Sequence, residues 1–167
     1  GAFLERNIHA RALDPDHMAW LKTLPYEIRV PEAELLLCHG SPVRLEEFEY
    51  IFAPEQARDC LPIWDRLGHL TLIGHSHLCK VFALTKDSVE ELPVETFALE
   101  PDRKYVISVG SVGQPRDRNP EACFVMFDTD SKSVRHLRVA YDIERAAARI
   151  REVGHDEKFA RRLSMGV

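Results

Sequence analysis

The sequence lacks several features that would place it in a specialised class of protein. None of its 167 residues belong to an apolar run of about 18, so we expect no membrane-spanning helix. Basic residues are not in excess, because 22 Lys and Arg stand against 27 Asp and Glu, which argues against a dedicated nucleic-acid surface. Repeats and low-complexity segments are absent as well. The length and a hydrophobic content of 45% predict a single domain over residues 1–167.

Cysteine is scarce, and its spacing matches neither a zinc finger nor a disulfide scaffold. The four cysteines form no C-x-x-C pair; they are Cys38, Cys60, Cys79 and Cys123. We interpret them as reduced residues that mostly lie in the core, since a free cysteine behaves as a small hydrophobe. Reduced thiols favour a cytoplasmic location.

Three short apolar segments, residues 35–38, 70–73 and 104–108, predict buried strands. Each is followed by a loop with glycine and polar side chains. The HGSP loop is residues 39–42, the GHSH loop is residues 74–77, and the GSVGQPRD loop is residues 110–117. Sites in α/β proteins are built at the carboxyl ends of strands. The pattern therefore predicts an α/β fold with its site at these loops.

Helices and a hairpin are predicted around this set of strands. Capping residues and apolar spacing predict helices after Asp14, Asp142 and Asp156. A further helical stretch over residues 54–67 contains Pro62, which predicts a break. Residues 124–139 predict a hairpin.

Histidines in two of the loops are candidate metal ligands. In an extended segment His75 and His77 would point the same way, and His39 would join them if the strands are neighbours. Neutral imidazole suits Mn, Fe, Ni, Co or Zn. Exposed loop histidines, or a single zinc bound by all three, are the alternatives. The other five histidines are interpreted as surface residues: His9, His17, His69, His136 and His155.

The GSVGQPRD loop offers groups that could contact a phosphate. Its glycines allow a ligand to approach the backbone closely, and Arg116 could donate two hydrogen bonds to phosphate oxygens. The alternative is a structural turn in which Arg116 pairs with Asp117 or Glu121. The candidate substrate-binding residues of this loop are Gly110, Ser111, Gly113 and Arg116.

Together the three loops resemble the calcineurin-like metallophosphoesterase superfamily, in particular its bacterial branch of small phosphodiesterases and phosphatases. That branch carries a strand followed by HGSP, a G-H-[ST]-H motif and a G-S-V-G-Q-P-R-D loop, in this order. Asn-Pro is common in the family where this chain has Ser108 and Val109, and Gly is common where it has Arg118. The resemblance implies a β-sandwich flanked by helices, with C-terminal helices.

The resemblance also implies a chemistry. His39 and His75 would bind the second of two divalent metal ions (Mn, Fe, Ni or Zn), and His77 the first. The protein would then hydrolyse a phosphodiester or phosphomonoester; no residue here matches the family's catalytic acid. The family's N-terminal motifs D-x-H, G-D and G-N-H-[DE] have no counterpart. We therefore expect this chain to be the C-terminal portion, partnered by the missing N-terminal half of the same protein. The alternative is a non-catalytic regulatory or interaction module on the same fold.

Overall fold

The computed structural model describes residues 13–167 and confirms the mixed α/β fold; the first twelve residues, His9 among them, lie outside this range. The strands of this range are β1 (Glu27–Val30), β2 (Leu35–Cys38), β3 (Leu70–Ile73), β4 (Cys79–Leu84), β5 (Val89–Leu92), β6 (Phe97–Ala98), β7 (Lys104–Val109), β8 (Ala122–Asp128) and β9 (Ser133–Val139). They form a six-stranded mixed sheet with the order β1-β2-β3-β7-β4-β5 and a three-stranded antiparallel sheet with the order β6-β9-β8.

Within residues 13–167, four α-helices and three short 3-10 helices accompany the strands. The α-helices are α1 (Pro15–Lys22), α2 (Pro54–Arg58), α3 (Ile143–Glu152) and α4 (Glu157–Met165), and the 3-10 helices are Pro31–Ala33, Leu45–Glu47 and Leu61–Arg66. The side chains of Asp14, Asp142 and Asp156 cap α1, α3 and α4 as predicted. The predicted break also occurs, because α2 ends before the 3-10 helix that contains Pro62.

The six-stranded sheet is buried on both faces. On one face Ile73, Phe82 and Val106 pack with residues of α2 and the 3-10 helix after it. On the other face Tyr105 and Ile107 pack with residues of the three-stranded sheet, which completes a sandwich. Each such side chain is removed from water at a gain of roughly 1.5–3 kcal/mol, so the central strands hold their positions firmly.

Two features of the periphery differ from the sequence-based expectation. Helix α1 buries none of its residues, although its apolar positions predict a buried face. Strands β1 and β5 were not predicted, since their charged residues break the apolar pattern; they form the two edges of the sheet. Within residues 13–167, no helix has the length and apolar character needed to cross a membrane.

Candidate functional site

Three neighbouring parallel strands bring the three loops together. Strand β2 pairs with β3 and β3 pairs with β7, all in parallel. The register places Cys38 opposite Ile73 and Ile73 opposite Ser108, so the strands end nearly level. The HGSP, GHSH and GSVGQPRD loops therefore leave the same edge of the sheet side by side, as the strand-end argument predicts.

Two of the candidate ligands are in direct contact. The Nε2 atom of His39 lies 3.1 Å from the Nδ1 atom of His75, so one of these nitrogens carries a proton and donates a hydrogen bond to the other. The backbone joins the same loops, because the Gly74 N–H donates to the carbonyl of His39 at 2.9 Å. Tyr50 stacks on the His75 ring with 4.1 Å between centroids.

The third histidine faces the GSVGQPRD loop. Its Nδ1 donates to the carbonyl of Gln114 at 2.7 Å, and its own carbonyl accepts the Arg116 N–H at 3.0 Å. This arrangement fixes the tautomer of His77, with the proton on Nδ1 and a free lone pair on Nε2. His77 thus has the protonation pattern of a metal-ligating histidine.

The backbone of the GHSH loop is not extended, which corrects the geometry assumed for its two histidines. His75 has a φ of 65° and His77 a φ of 60°, both in the left-handed region. Such a conformation costs an L-residue roughly 1–2 kcal/mol. Non-glycine residues in this region persist where surrounding contacts hold them, and they cluster at functional sites.

A buried pair of serines supplies those contacts. Ser76, between the two histidines, turns inward and donates its hydroxyl to Ser108 Oγ at 2.8 Å. Ser108 in turn donates to the carbonyl of Leu78 at 2.7 Å, and the Leu78 N–H reaches back to Ser76 Oγ at 3.3 Å. This closed set of hydrogen bonds fastens the GHSH loop to β7. Ser108 occupies the position at which the sequence departs from the family's Asn-Pro.

The electrostatics keep the GHSH imidazoles neutral at pH 7. Burial lowers the pKa of His75, and the charges of the neighbouring histidines and Arg116 lower it further. Burial also lowers the pKa of His77, against the opposing effect of its bond to the Gln114 carbonyl. Neutral imidazoles with free lone pairs are the form that binds metal ions.

The GSVGQPRD loop lines an open groove with the histidines. The groove has a volume of about 590 Å³ and runs from Tyr50, His75 and His77 to Phe159 and Leu163 of α4. Ser111, Gly113 and Arg116 also line it. Gly110 lies instead beside a smaller groove of about 390 Å³ that reaches His39. The structure thus places every sequence-predicted site residue at this edge.

Arg116 makes neither of the ion pairs weighed as alternatives. Its Nε and Nη2 donate to the side-chain oxygen of Gln114 at 3.2 and 2.8 Å. Asp117 pairs instead with Arg138 of β9. Among residues 13–167 no carboxylate forms an ion pair with Arg116, so its guanidinium brings a positive charge to the lining of the histidine groove.

The two glycines of this loop, Gly110 and Gly113, differ in how much space surrounds them. Gly110 has a φ of +80°, and an added Cβ would lie 2.7 Å from the Cβ of Cys123 and 2.9 Å from Cys79 Sγ. At Gly113 an added Cβ would meet nothing within 4 Å. Gly110 is therefore required by packing inside the protein, whereas Gly113 leaves open space beside the groove.

Comparison with solved proteins gives this arrangement a family context. A metallophosphoesterase from Sphaerobacter thermophilus superposes on 93% of this chain with a TM-score of 0.79 and 30% sequence identity. This chain has the fold of a metallophosphoesterase. The resemblance that the three loops carry is thereby confirmed for that family, whose enzymes generally use divalent metal ions.

Two archaeal proteins are also similar to this metallophosphoesterase-like chain. An uncharacterized protein of Methanocaldococcus jannaschii is 30% identical over 158 residues. A hypothetical protein from Pyrococcus horikoshii shares the fold with a TM-score of 0.64 and 19% identity. The chain spans only 62% of the Methanocaldococcus protein and 63% of the Sphaerobacter one. No protein-family model matches the chain.

Imidazole nitrogens that could bind a metal lie at this edge, but the described residues form no complete metal site. Within residues 13–167, no group of three or more His, Cys, Asp and Glu side chains is placed to hold a metal ion. One ring nitrogen of His39 and one of His75 are engaged in the hydrogen bond between the two residues. Carboxylates are the missing type of ligand, because the described residues that line the two grooves include none.

Four residues that contact or support the site histidines were not predicted from the sequence: Tyr50, Ser76, Ser108 and Gln114. Ser76 and Gln114 lie inside the quoted motifs and could have been singled out there. The inward turn of Ser76 depends on the left-handed backbone on either side, which its neighbours' identities do not predict. Tyr50 carries no sequence signal. His136, interpreted as a surface residue, is half-buried and donates to the Ser108 carbonyl at 2.9 Å.

Proposed function

We propose that this chain is the histidine-bearing part of a metal-dependent phosphoesterase that hydrolyses phosphodiesters or phosphomonoesters. One observation carries the proposal: His39, His75 and His77 converge with the GSVGQPRD loop at the ends of three parallel strands of a metallophosphoesterase fold. The three histidines would supply nitrogen ligands to two divalent metal ions, Mn, Fe, Ni or Zn.

The nitrogen donors fit that role. His77 presents Nε2 to the groove because its Nδ1 is engaged by Gln114. The lowered pKa of His75 favours the neutral form that a metal requires. His39 Nε2 and His75 Nδ1 lie 3.1 Å apart, so a cation that displaced the proton between them could contact both nitrogens.

Oxygen ligands have to come from outside residues 13–167. Two divalent ions carry four positive charges, and neutral imidazoles do nothing to offset their repulsion. Both 30%-identical relatives are longer than the matched region. We propose that an N-terminal half of the same protein supplies the carboxylates and is the natural partner of this chain.

Bound divalent ions would supply Lewis-acid polarisation of the phosphoryl oxygens and a nucleophilic hydroxide at neutral pH. The residues of this chain would do the positioning. Arg116, held by Gln114, presents its guanidinium to a phosphate oxygen, and the open space at Gly113 admits the ester. Ser111 accepts the Gln114 N–H at 2.9 Å, which shapes the loop around that position.

The test compares two histidines at opposite ends of the same strand. We expect His75→Ala in the complete protein to lower the rate of hydrolysis of p-nitrophenyl phosphoesters by more than about 100-fold. Residues that only support a metal ligand already cost roughly 10–100-fold in metal affinity or activity when they are replaced. His69→Ala is the matched control; His69 precedes β3 and bonds the Glu100 carbonyl. Elemental analysis should also show fewer metal ions per chain in His75→Ala. Equal turnover and equal metal content in both variants would refute the proposal.

A further inference from the structure

Two thiols lie in contact beneath the GSVGQPRD loop. Cys79 opens β4 and Cys123 belongs to β8, and their Sγ atoms are 3.2 Å apart. All four cysteines are free thiols. A disulfide bond needs the two sulfurs to approach by roughly 1.2 Å more, a movement that side-chain rotation can provide.

Neighbouring backbone holds both cysteines in this arrangement. Cys79 is paired with Val109 in the sheet, and the Cys123 N–H donates to the carbonyl of Ser111 at 2.8 Å. Gly110 packs directly on the two sulfurs, as the short distances from its position show. The thiol contact is therefore fixed by two strands and a tight loop.

A small oxidant would reach the pair through Cys79, because Cys79 is partly exposed whereas Cys123 is only 1% exposed. Cys123 lines the groove of about 390 Å³ that also contains His77, Gly110 and Ser111. Arg138 donates a hydrogen bond to the sulfur of Cys79 at 3.0 Å. Charged reagents would meet the guanidinium, whereas an uncharged peroxide would not be excluded by charge.

We propose that Cys79 and Cys123 form a reversible, oxidation-sensitive pair that closes to a disulfide when the protein meets hydrogen peroxide. One thiol attacks a peroxide oxygen, the O–O bond breaks, and a sulfenic acid and one water result. The second thiol then attacks the sulfenic sulfur, the S–S bond forms, and the second water leaves. Both sulfurs are oxidised by one electron each and the peroxide is reduced to two waters.

The cross-link would act on both loops at the sheet edge. Cys79 follows the GHSH loop by two residues, and the backbone of Cys123 is bonded to Ser111 of the GSVGQPRD loop. Joining positions 44 residues apart restricts the unfolded chain. We expect the melting temperature to rise by roughly 5–15 °C on oxidation, with slower amide exchange over residues 110–117. The inference does not depend on the proposed hydrolysis.

The experiment is thiol mapping by mass spectrometry. The reduced protein is treated with hydrogen peroxide, its remaining thiols are alkylated, and it is digested without reductant. We expect the free thiols to fall from four to two, a mass loss of two hydrogen atoms, and one cross-linked peptide joining Cys79 to Cys123. Dithiothreitol should restore all four thiols.

Two variants control for the other cysteines. Cys38 and Cys60 belong to one core cluster and could compete, so a Cys38→Ala/Cys60→Ala protein should still form the cross-link. Cys79→Ser, which keeps a hydrogen-bond acceptor for Arg138, should form none. A Cys38–Cys60 or intermolecular disulfide, added oxygen on either thiol as the main product, or four unchanged thiols in folded protein would each overturn the inference.

Discussion

Replacing Gly110 by alanine should destabilise the protein far more than the same replacement three residues later. Two costs combine at Gly110. An L-residue at a φ of +80° costs roughly 1–2 kcal/mol. The new Cβ would lie 2.7 Å from the Cys123 Cβ and 2.8 Å from its sulfur, and overpacking of this kind costs about 1–3 kcal/mol. We expect Gly110→Ala to lower the free energy of unfolding by about 2–5 kcal/mol in total.

Gly113→Ala is the matched control. It adds the same methyl group to the same loop, where nothing lies within 4 Å and φ is not positive. We expect the free energy of unfolding to stay unchanged or to rise by up to about 1 kcal/mol, because alanine restricts the conformations of the unfolded chain. Urea denaturation of reduced protein at one pH measures both variants. The melting temperature of Gly110→Ala should fall by roughly 5–15 °C.

A double variant separates the two costs. Adding Cys123→Ala to Gly110→Ala removes the sulfur that the new methyl group meets. The double variant should therefore regain the part of the stability that was lost to overpacking with this sulfur, while the loss due to backbone strain remains. A Gly110→Ala protein within about 0.5 kcal/mol of the wild type, outside the usual range for strain or overpacking, would refute this account of the loop.

Two further predictions concern single residues. Arg118 has a φ of 65° and an exposed side chain, so Arg118→Gly should stabilise the protein by about 0.5–1 kcal/mol. Arg161→Gly, at an exposed position of α4, should instead cost about 1 kcal/mol, and a loss of stability in both variants would contradict the strain argument. Burial lowers the pKa of His136, so the unfolded chain takes up the proton first, and stability should fall as pH drops through 6.5. His136→Gln should flatten that decline in urea melts, and an unchanged slope would exclude His136 as its source.

The elements predicted well from sequence are those buried on both faces. Strands β2, β3 and β7 are short, mostly apolar segments, and their predicted bounds lie within one residue of the observed ones. The edge strands β1 and β5 each carry two charged residues among four and depend on a neighbouring strand for their conformation, so the local sequence pattern does not reveal them.

The candidate site could be predicted in position but not in conformation. Strand ends and adjacent strands placed His39, His75 and His77 together. The left-handed backbone of the GHSH loop and the inward turn of Ser76 follow from tertiary hydrogen bonds, which a local pattern does not contain. The contact between Cys79 and Cys123 is equally invisible, because it joins strands of two different sheets.

The parallel pairing at the site has a consequence for synthesis on the ribosome. Strand β3 pairs with β2 on one side and with β7 on the other, yet β7 begins roughly thirty residues after β3 ends. Because the ribosome adds about 5–20 residues per second, one edge of β3 stays unpaired for a few seconds until β7 has been synthesised. During that interval an apolar strand offers open hydrogen-bonding groups to other nascent chains. Slowing translation between residues 73 and 104 should lengthen this exposure and lower the yield of folded protein.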